Sequence, residues 1–503
     1  MTSDSGPSPA RSRRWHDLDA LRGFAMLLGI GLHAALSFYP SAWPVQDAKA
    51  SADGFLDEAV LAVHGFRMPL FFMLSGLFTA LLWRRRGLRA LLGHRLRRIF
   101  VPFVLALLLI APTVDWVAER AVQDQVVDSG DLAAAAYLGH EGAVGTMLDA
   151  GADIDAAGAD GFPALYLAAV AGDERMVGLL LERGADPNAL TAEGMAVDAA
   201  AYFGREAVGE MLVAAGSRDP RPAGGTWQDI AYWALGTPVE AGLEEPEPGP
   251  LAWLPDLHHL WFLWFLILFV LLFAPVASLA DRLRERRSPD APRRPWVGWL
   301  MWLLVPLVLL PQLTMEGGET IPAFGPDTSI TWIPDPSVFA YYLLFFAFGA
   351  LFYGAVDRSG VPLVETVARR WWVVLGLAVV LFVAALEMTF REGGEWHLPA
   401  SSLQVGYAWL MIFGLMGLFR AFLSGEHQSV RYLSDSAYWQ YLIHLTLVIA
   451  LQSLVRTWDL PVPLKFGSIV VTTCAILLLT YQLFVRYTPI GTLLNGKRSR
   501  PSG

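Results

Sequence analysis

The sequence predicts an all-α protein: a polytopic membrane bundle of about ten transmembrane helices, with a smaller helical module inserted between the third and the fourth. Three observations predict it. The first is composition. Of 503 residues, 54% are hydrophobic and only 17% charged, whereas an ordinary soluble domain carries roughly a quarter charged residues. The second is a series of ten long apolar runs. The third is a split in charge: residues 119–256 hold 24 acids and 6 bases, while the chain as a whole is at −10. The remainder is therefore about +8, and two different objects share one chain. The 19 Trp and 28 Phe suit lipid-facing and interfacial surface. The single cysteine, Cys474, permits no disulfide within the chain, so it does not reveal the compartment.

A spanning helix needs roughly 20 mostly apolar residues. Runs of that kind fall near 18–39, 60–82, 99–117, 259–280, 296–314, 338–356, 371–390, 403–423, 436–455 and 468–487. The first follows Arg11, Arg13 and Arg14, as a signal peptide would. It is too long for one, contains Asp19 and Arg22, and lacks a small-residue cleavage site, so it reads as a retained helix. Ten spans put both termini on one side, and positive charge selects the side. The termini, the even-numbered loops and the span ends beside them hold 25 of the 37 Lys and Arg. The stretch 83–98 alone has seven Arg and no acid. Both termini are expected in the cytoplasm of a bacterial inner membrane, with the insert in the periplasm.

The insert repeats. Gly151-Ala152-Asp153 recurs as Gly184-Ala185-Asp186, a spacing of 33, and Gly139, Gly172 and Gly204 follow at 33 and 32. The stretch DGFPALYLAAVAGDERMVGLLLERGADPNA (160–189) resembles an ankyrin repeat, with Pro163, Ala164, Leu165 and Tyr166 in place of the usual Thr-Pro-Leu-His. About three units fit between 128 and 219, near the minimum for a stable stack. The segment 226–250 is expected to be a linker with a candidate interfacial helix at 226–236, followed by the stiff tract EEPEPGP. The expected domains are thus membrane spans 1–3 (1–117), the repeat insert (128–219) and spans 4–10 (257–490). Such a stack either binds a protein partner or serves as a spacer.

Ionisable groups inside spans are expensive, of order 2.5–3.5 kcal/mol each, and are functional candidates by default. In the first span Arg22 and His33 are 11 residues apart. At 100° per residue they share one face, about 16 Å apart along the axis. Asp19 precedes Arg22 by three residues and can pair with it. The bland alternative is a snorkelling Arg and a His bonded to a neighbouring helix. The second span carries His64 and Arg67 near its outer end and Ser75-Gly76 deeper, where small residues also serve helix packing. GHRLRRIFVP follows at the cytoplasmic mouth. The fourth span opens with His258 and His259, and the ninth places His444 near mid-depth. Together they form a polar line, with histidines towards the outside and guanidinium groups towards the inside. No Walker-type or dinucleotide-type glycine motif is present, no close His/Cys/Glu cluster suggests a metal, and nothing points to nucleic acid.

These residues resemble the membrane acyltransferase-3 family over the whole chain except the insert. The family mark, Arg then ten residues then His in the first helix, is met by Arg22 and His33. Also similar are RMPLFFMLSG (67–76), Arg95-x-x-Arg98 before Pro102, HLWFL (259–263) and YLIH (441–444). The resemblance implies transfer of an acetyl or succinyl group from cytoplasmic acyl-CoA, the donor substrate, to a hydroxyl of a periplasmic glucan or another surface glycan. It assigns His33, Arg22 and Asp19 to catalysis. It assigns Arg95, Arg98, Ser75 and Gly76 to the donor. His64, Arg67, His259, Trp261, Tyr441 and His444 are assigned to the acceptor. A neutral His is suited to take a hydroxyl proton near pH 7. The competing classes are a transporter, for which an inverted repeat would be expected, and a receptor anchored by its spans.

Overall fold

The computed structural model describes residues 15–39, 43–50, 55–158, 161–191, 193–218, 254–285, 300–315, 324–357, 359–366, 369–391, 396–496 and 498. The segment 226–250, with its expected interfacial helix, lies outside them. The described chain is helical and contains no strand, only isolated bridges. It divides into two units, Met1–Asp115 with Pro255–Gly503, and Trp116–Leu254.

In the first unit the first helices are α1 (His16–Ala35), α2 (Phe55–Arg95) and α3 (Val101–Leu109); α4 (Ala111–Ser129) starts in it and lies mostly in the second. Among the described residues, seven helices are long and apolar enough to cross a membrane. All ten expected runs fall on apolar helices, but the exact count of ten is not confirmed, and the reason is local. The runs at 60–82 and 99–117 lie in one helical stretch, Leu56–Ser129, of 74 residues. Within it Gly87 takes φ 79°, ψ 169°, a conformation that kinks the helix and favours glycine. A π-turn over Leu96–Phe100 follows. The runs at 296–314 and 338–356 correspond to the shorter apolar helices Met301–Gln312 and Pro336–Phe352. Pro306 and Pro311 remove backbone donors from the former, which is broken into short pieces.

The second unit is built of helix pairs: α5 (Leu132–Tyr137) with α6 (Glu141–Asp149), α7 (Ala164–Ala171) with α8 (Glu174–Glu182), and α9 (Ala196–Tyr202) with α10 (Glu206–Ala214). The sequence period appears as backbone. Gly139, Gly172 and Gly204 all take φ near +70° at the turn inside each pair, and Gly151, Gly184 and Gly216 take φ of 90°, 94° and 98° after it. Asp131 caps α5 through the amide of Ala134 (2.9 Å), and Asp173 caps α8 through the amides of Arg175 and Met176. Each pair buries its apolar face only by stacking: Val144 and Met147 of one, Leu165, Met176 and Leu180 of the next, and Val197 and Leu212 of the last form one core. Arg183 donates to Asp149 (2.9 Å) and the amide of Asp186 to Asp155 (2.9 Å), so neighbouring repeats are also tied at their surface.

Further helices of the first unit are α11 (Trp261–Glu285), α12 (Pro336–Phe352), α13 (Trp371–Thr389), α14 (His397–Leu423), α15 (Gln428–Val455), α16 (Val462–Thr480) and the short α17 (Pro489–Asn495). α1 packs on α15, α2 on α12, and α13 on α14. The α2–α12 crossing is closest at two glycines. A Cβ on Gly76 would lie 1.9 Å from the Phe346 carbonyl oxygen, and one on Gly349 1.9 Å from that of Met73. Small residues here let two backbones touch. The core is aromatic: Phe72, Tyr342, Phe345, Phe348 and Trp409 are all buried. Leu108, Val276, Trp372 and Val471 are instead well exposed, on helices long enough to face lipid.

Candidate functional site

Because α1 packs on α15, His33 and His444 meet. His33 Nδ1 is 2.9 Å from His444 Nε2, and the rings lie within 14° of parallel. The proton positions follow from the neighbours. His444 Nδ1 faces two acceptors, the carbonyls of Tyr441 (2.8 Å) and Gln440 (3.2 Å), so it carries a hydrogen. When His444 is neutral its Nε2 therefore accepts, and His33 Nδ1 must donate to it. A neutral His33 then holds its lone pair on Nε2, the atom available as a base.

Other groups converge on this pair. His259 packs edge-on to His444, with ring centroids 5.3 Å apart, and its Nε2 donates to the Leu442 carbonyl (3.2 Å). Its Nδ1 is buried without a partner. Tyr441 donates its hydroxyl to the His259 carbonyl (2.5 Å), tying α15 to the start of α11. His64 Nε2 donates to the Pro326 carbonyl (2.9 Å). Arg67 lies close enough for its charge to act on His33, His64 and His444. Its Nη1 sits beside Gly29, where an added Cβ would come within 2.8 Å, and its Nε is buried without a partner. A guanidinium with an unfilled donor beside histidines can stabilise a developing oxyanion. Trp261 is packed into the aromatic core against Phe72, Phe265 and Tyr342. Tyr342 is itself within the field of Arg67.

Arg22 and Asp19 belong to a second group, about three turns away along α1. Arg22 lies 3.9 Å from Asp19 and 3.4 Å from the Ser434 hydroxyl. Its charge also acts on Arg95, which donates to Thr79 (2.6 Å) and keeps its Nε buried without a partner. Arg98 donates to the Leu494 carbonyl (2.9 Å) on α17. The expected catalytic trio is therefore divided, with His33 in the histidine cluster and Arg22 and Asp19 beside the arginines. Gly76 is accounted for by the contact with α12, and Ser75 lies half-buried next to it. No group of three His, Cys, Asp or Glu among the described residues is placed to hold a metal ion.

Two residues at the site escaped the sequence reading. Trp43 lies near-parallel to His33, with centroids 5.7 Å apart, and donates its indole N–H to Gln452 (2.9 Å). Gln452 in turn donates to the carbonyls of His33 (2.8 Å) and Ala34 (3.2 Å). The only signals in the sequence were a Trp shortly after the first span and a Gln two turns beyond His444.

Comparison with known proteins places this geometry in a family. The family model described as an acyltransferase domain matches residues 15–167 and 197–482, and the ankyrin repeat model matches residues 160–192. Among curated proteins, the chain is similar to "Glucans biosynthesis protein C" of Escherichia coli strains SMS-3-5 / SECEC and K12 / DH10B. Each is 33% identical over 100 residues, which cover 20% of this chain and 26% of the relative. The chain thus aligns with about a quarter of the length of these relatives. The family match extends over more than half of the chain and takes in every residue named in both polar groups except Leu494 of α17. The chain belongs to the membrane acyltransferase-3 family and carries an ankyrin-repeat insert.

Proposed function

We propose that the protein is an acyl-CoA-dependent O-acyltransferase that moves an acetyl or succinyl group across the inner membrane to a hydroxyl of a periplasmic glucan or another surface glycan. The observation that carries this reading is the His33–His444 pair, whose hydrogen bonds leave His33 Nε2 as the free base. The glycan hydroxyl gives its proton to His33 Nε2 as its oxygen attacks the thioester carbonyl. Arg67 stabilises the oxyanion of the tetrahedral intermediate. Collapse breaks the carbon–sulfur bond, and the departing thiolate takes the proton from His33, leaving free coenzyme A thiol and the glycan ester. His444 holds the tautomer and orientation of His33, as the orienting member of a nucleophile–base–orienter series does.

The second group suits the donor. Arg95, Arg98 and Arg22 form a positive mouth for the phosphates, for which guanidinium groups are well matched. The charge distribution favours a cytoplasmic position for that mouth and for both termini, with the acidic insert outside. His64, His259, Trp261 and Tyr441 are assigned to the acceptor end. The similarity to glucan biosynthesis proteins supports a glycan acceptor.

The test is transfer of label from acyl-CoA to a glucan by the purified protein. The wild type should transfer. His33→Ala should lose about 10²–10⁴-fold in turnover while remaining folded in the membrane. Near-normal turnover by His33→Ala would remove it from the base role and move that role to His259 or His444.

A further inference from the structure

We infer that Asp47 and Lys465 are positioning residues, a buried ion-pair clamp that acts through Trp43 and Gln452 to hold His33 in its working orientation; the inference rests on His33 as the base. Lys465, on the first turns of α16, has no exposed side-chain surface, and Asp47 has 1%. The pair is saturated. Lys465 Nζ donates to both Asp47 carboxylate oxygens (3.0 and 2.8 Å) and to the Arg456 carbonyl (3.0 Å), which uses all three ammonium donors. Asp47 Oδ1 also accepts from the amide of Lys49 (2.9 Å).

The pair does not join two helices. It fixes the short segment 43–50, which leads from the end of α1 towards α2. The backbone of that segment is pinned on both sides, with the Asp47 amide donating to the Ser37 carbonyl (2.8 Å) and the Ala48 amide to that of Arg456 (3.3 Å). At the start of the segment stands Trp43. Its indole runs parallel to His33, and its N–H reaches Gln452, a residue 1% exposed. Gln452 spends its own two donors on the carbonyls of His33 and Ala34, groups that the end of α1 leaves unpaired. One connected path therefore runs from Lys465 through Asp47, Trp43 and Gln452 to the backbone and ring of His33. A buried ion pair is generally no more stabilising than a well-packed apolar pair of the same volume. What it adds is a fixed geometry, and here the geometry fixed is that of the segment carrying Trp43.

The experiment compares Lys465→Met, Trp43→Ala and their double variant with the wild type, together with Lys49→Gln as a control. Lys49, in the same segment, pairs with the exposed Asp459 before α16, so its loss should leave rates within about twofold. Lys465→Met and Trp43→Ala should each lower kcat by up to about 10²-fold, with little change in KM for the acyl donor. The double variant should cost no more than the larger single one, because both break the same path. In case Lys465→Met fails to fold, Asp47→Leu/Lys465→Met removes both charges together. It should fold and still show the lowered kcat; full activity in that variant together with unchanged modification of His33 would overturn the clamp. A second readout needs no turnover: modification of His33 by diethyl pyrocarbonate, followed by peptide mass spectrometry with the exposed His427 as reference. Modification of His33 should rise in Trp43→Ala and Lys465→Met. A rise with unchanged transfer supports the clamp and counts against His33 as the base. Unchanged modification in both variants, or additive losses in kcat, overturns the clamp.

Discussion

At the scale of single residues, the site rests on which atoms are satisfied and which are not. His444 uses Nδ1 on its own helix and Nε2 on His33, so both ring nitrogens are engaged while the pair is intact. Arg67 is the opposite case, with a buried Nε that nothing fills and three histidines in its field. Arg67 is the proposed oxyanion donor, so Arg67→Met should lower kcat by about 10²–10³-fold, and Arg67→Lys should recover part of it. Steady-state kinetics with saturating donor checks this; an Arg67→Met effect confined to KM would place the residue in binding instead. His33, Arg67 and His444 were legible in the sequence because ionisable groups are costly inside apolar runs. Trp43 and Gln452 were not, since an aromatic in a loop and an amide in a polar-spotted helix acquire meaning only when α1 meets α15. Arg22 and His33 both lie on α1, about three turns apart as their spacing implies, and each joins a different polar group.

At the scale of elements, the repeats were the most legible part. Their period places glycine wherever the backbone needs positive φ, at 139, 172 and 204 and again at 151, 184 and 216. The exact span count is not fixed by hydropathy alone. Hydropathy reports apolar length but not a kink at Gly87, a π-turn at Leu96–Phe100 or prolines that shorten a helix. Two outcomes follow from the elements. Gly76→Ala should destabilise the bundle by about 1–3 kcal/mol or more through overpacking against α12, seen as a lower melting temperature in detergent. An unchanged melt would mean that the α2–α12 crossing is looser than its 1.9 Å contact implies. Residues 116–218 expressed alone should be soluble and helical and melt cooperatively, because the helix pairs share one core. A fragment with no helical circular dichroism would show that the stack depends on the membrane unit.

At the scale of the whole molecule, a basic, aromatic membrane unit and an acidic repeat insert share one chain, and the proposed chemistry belongs to the first. In the proposed function, acyl groups enter at the arginine mouth and leave at the histidine cluster on the other side. The most direct measurement uses the protein reconstituted in sealed vesicles. Labelled acyl-CoA is added outside only, and glucan is trapped inside. The account expects ester-linked label on the luminal glucan, from molecules oriented with the arginine mouth outward, and none with His33→Ala. Label that reaches glucan only after the vesicles are opened would contradict transfer across the membrane, and no labelled glucan under either condition would contradict the acyltransferase reading itself.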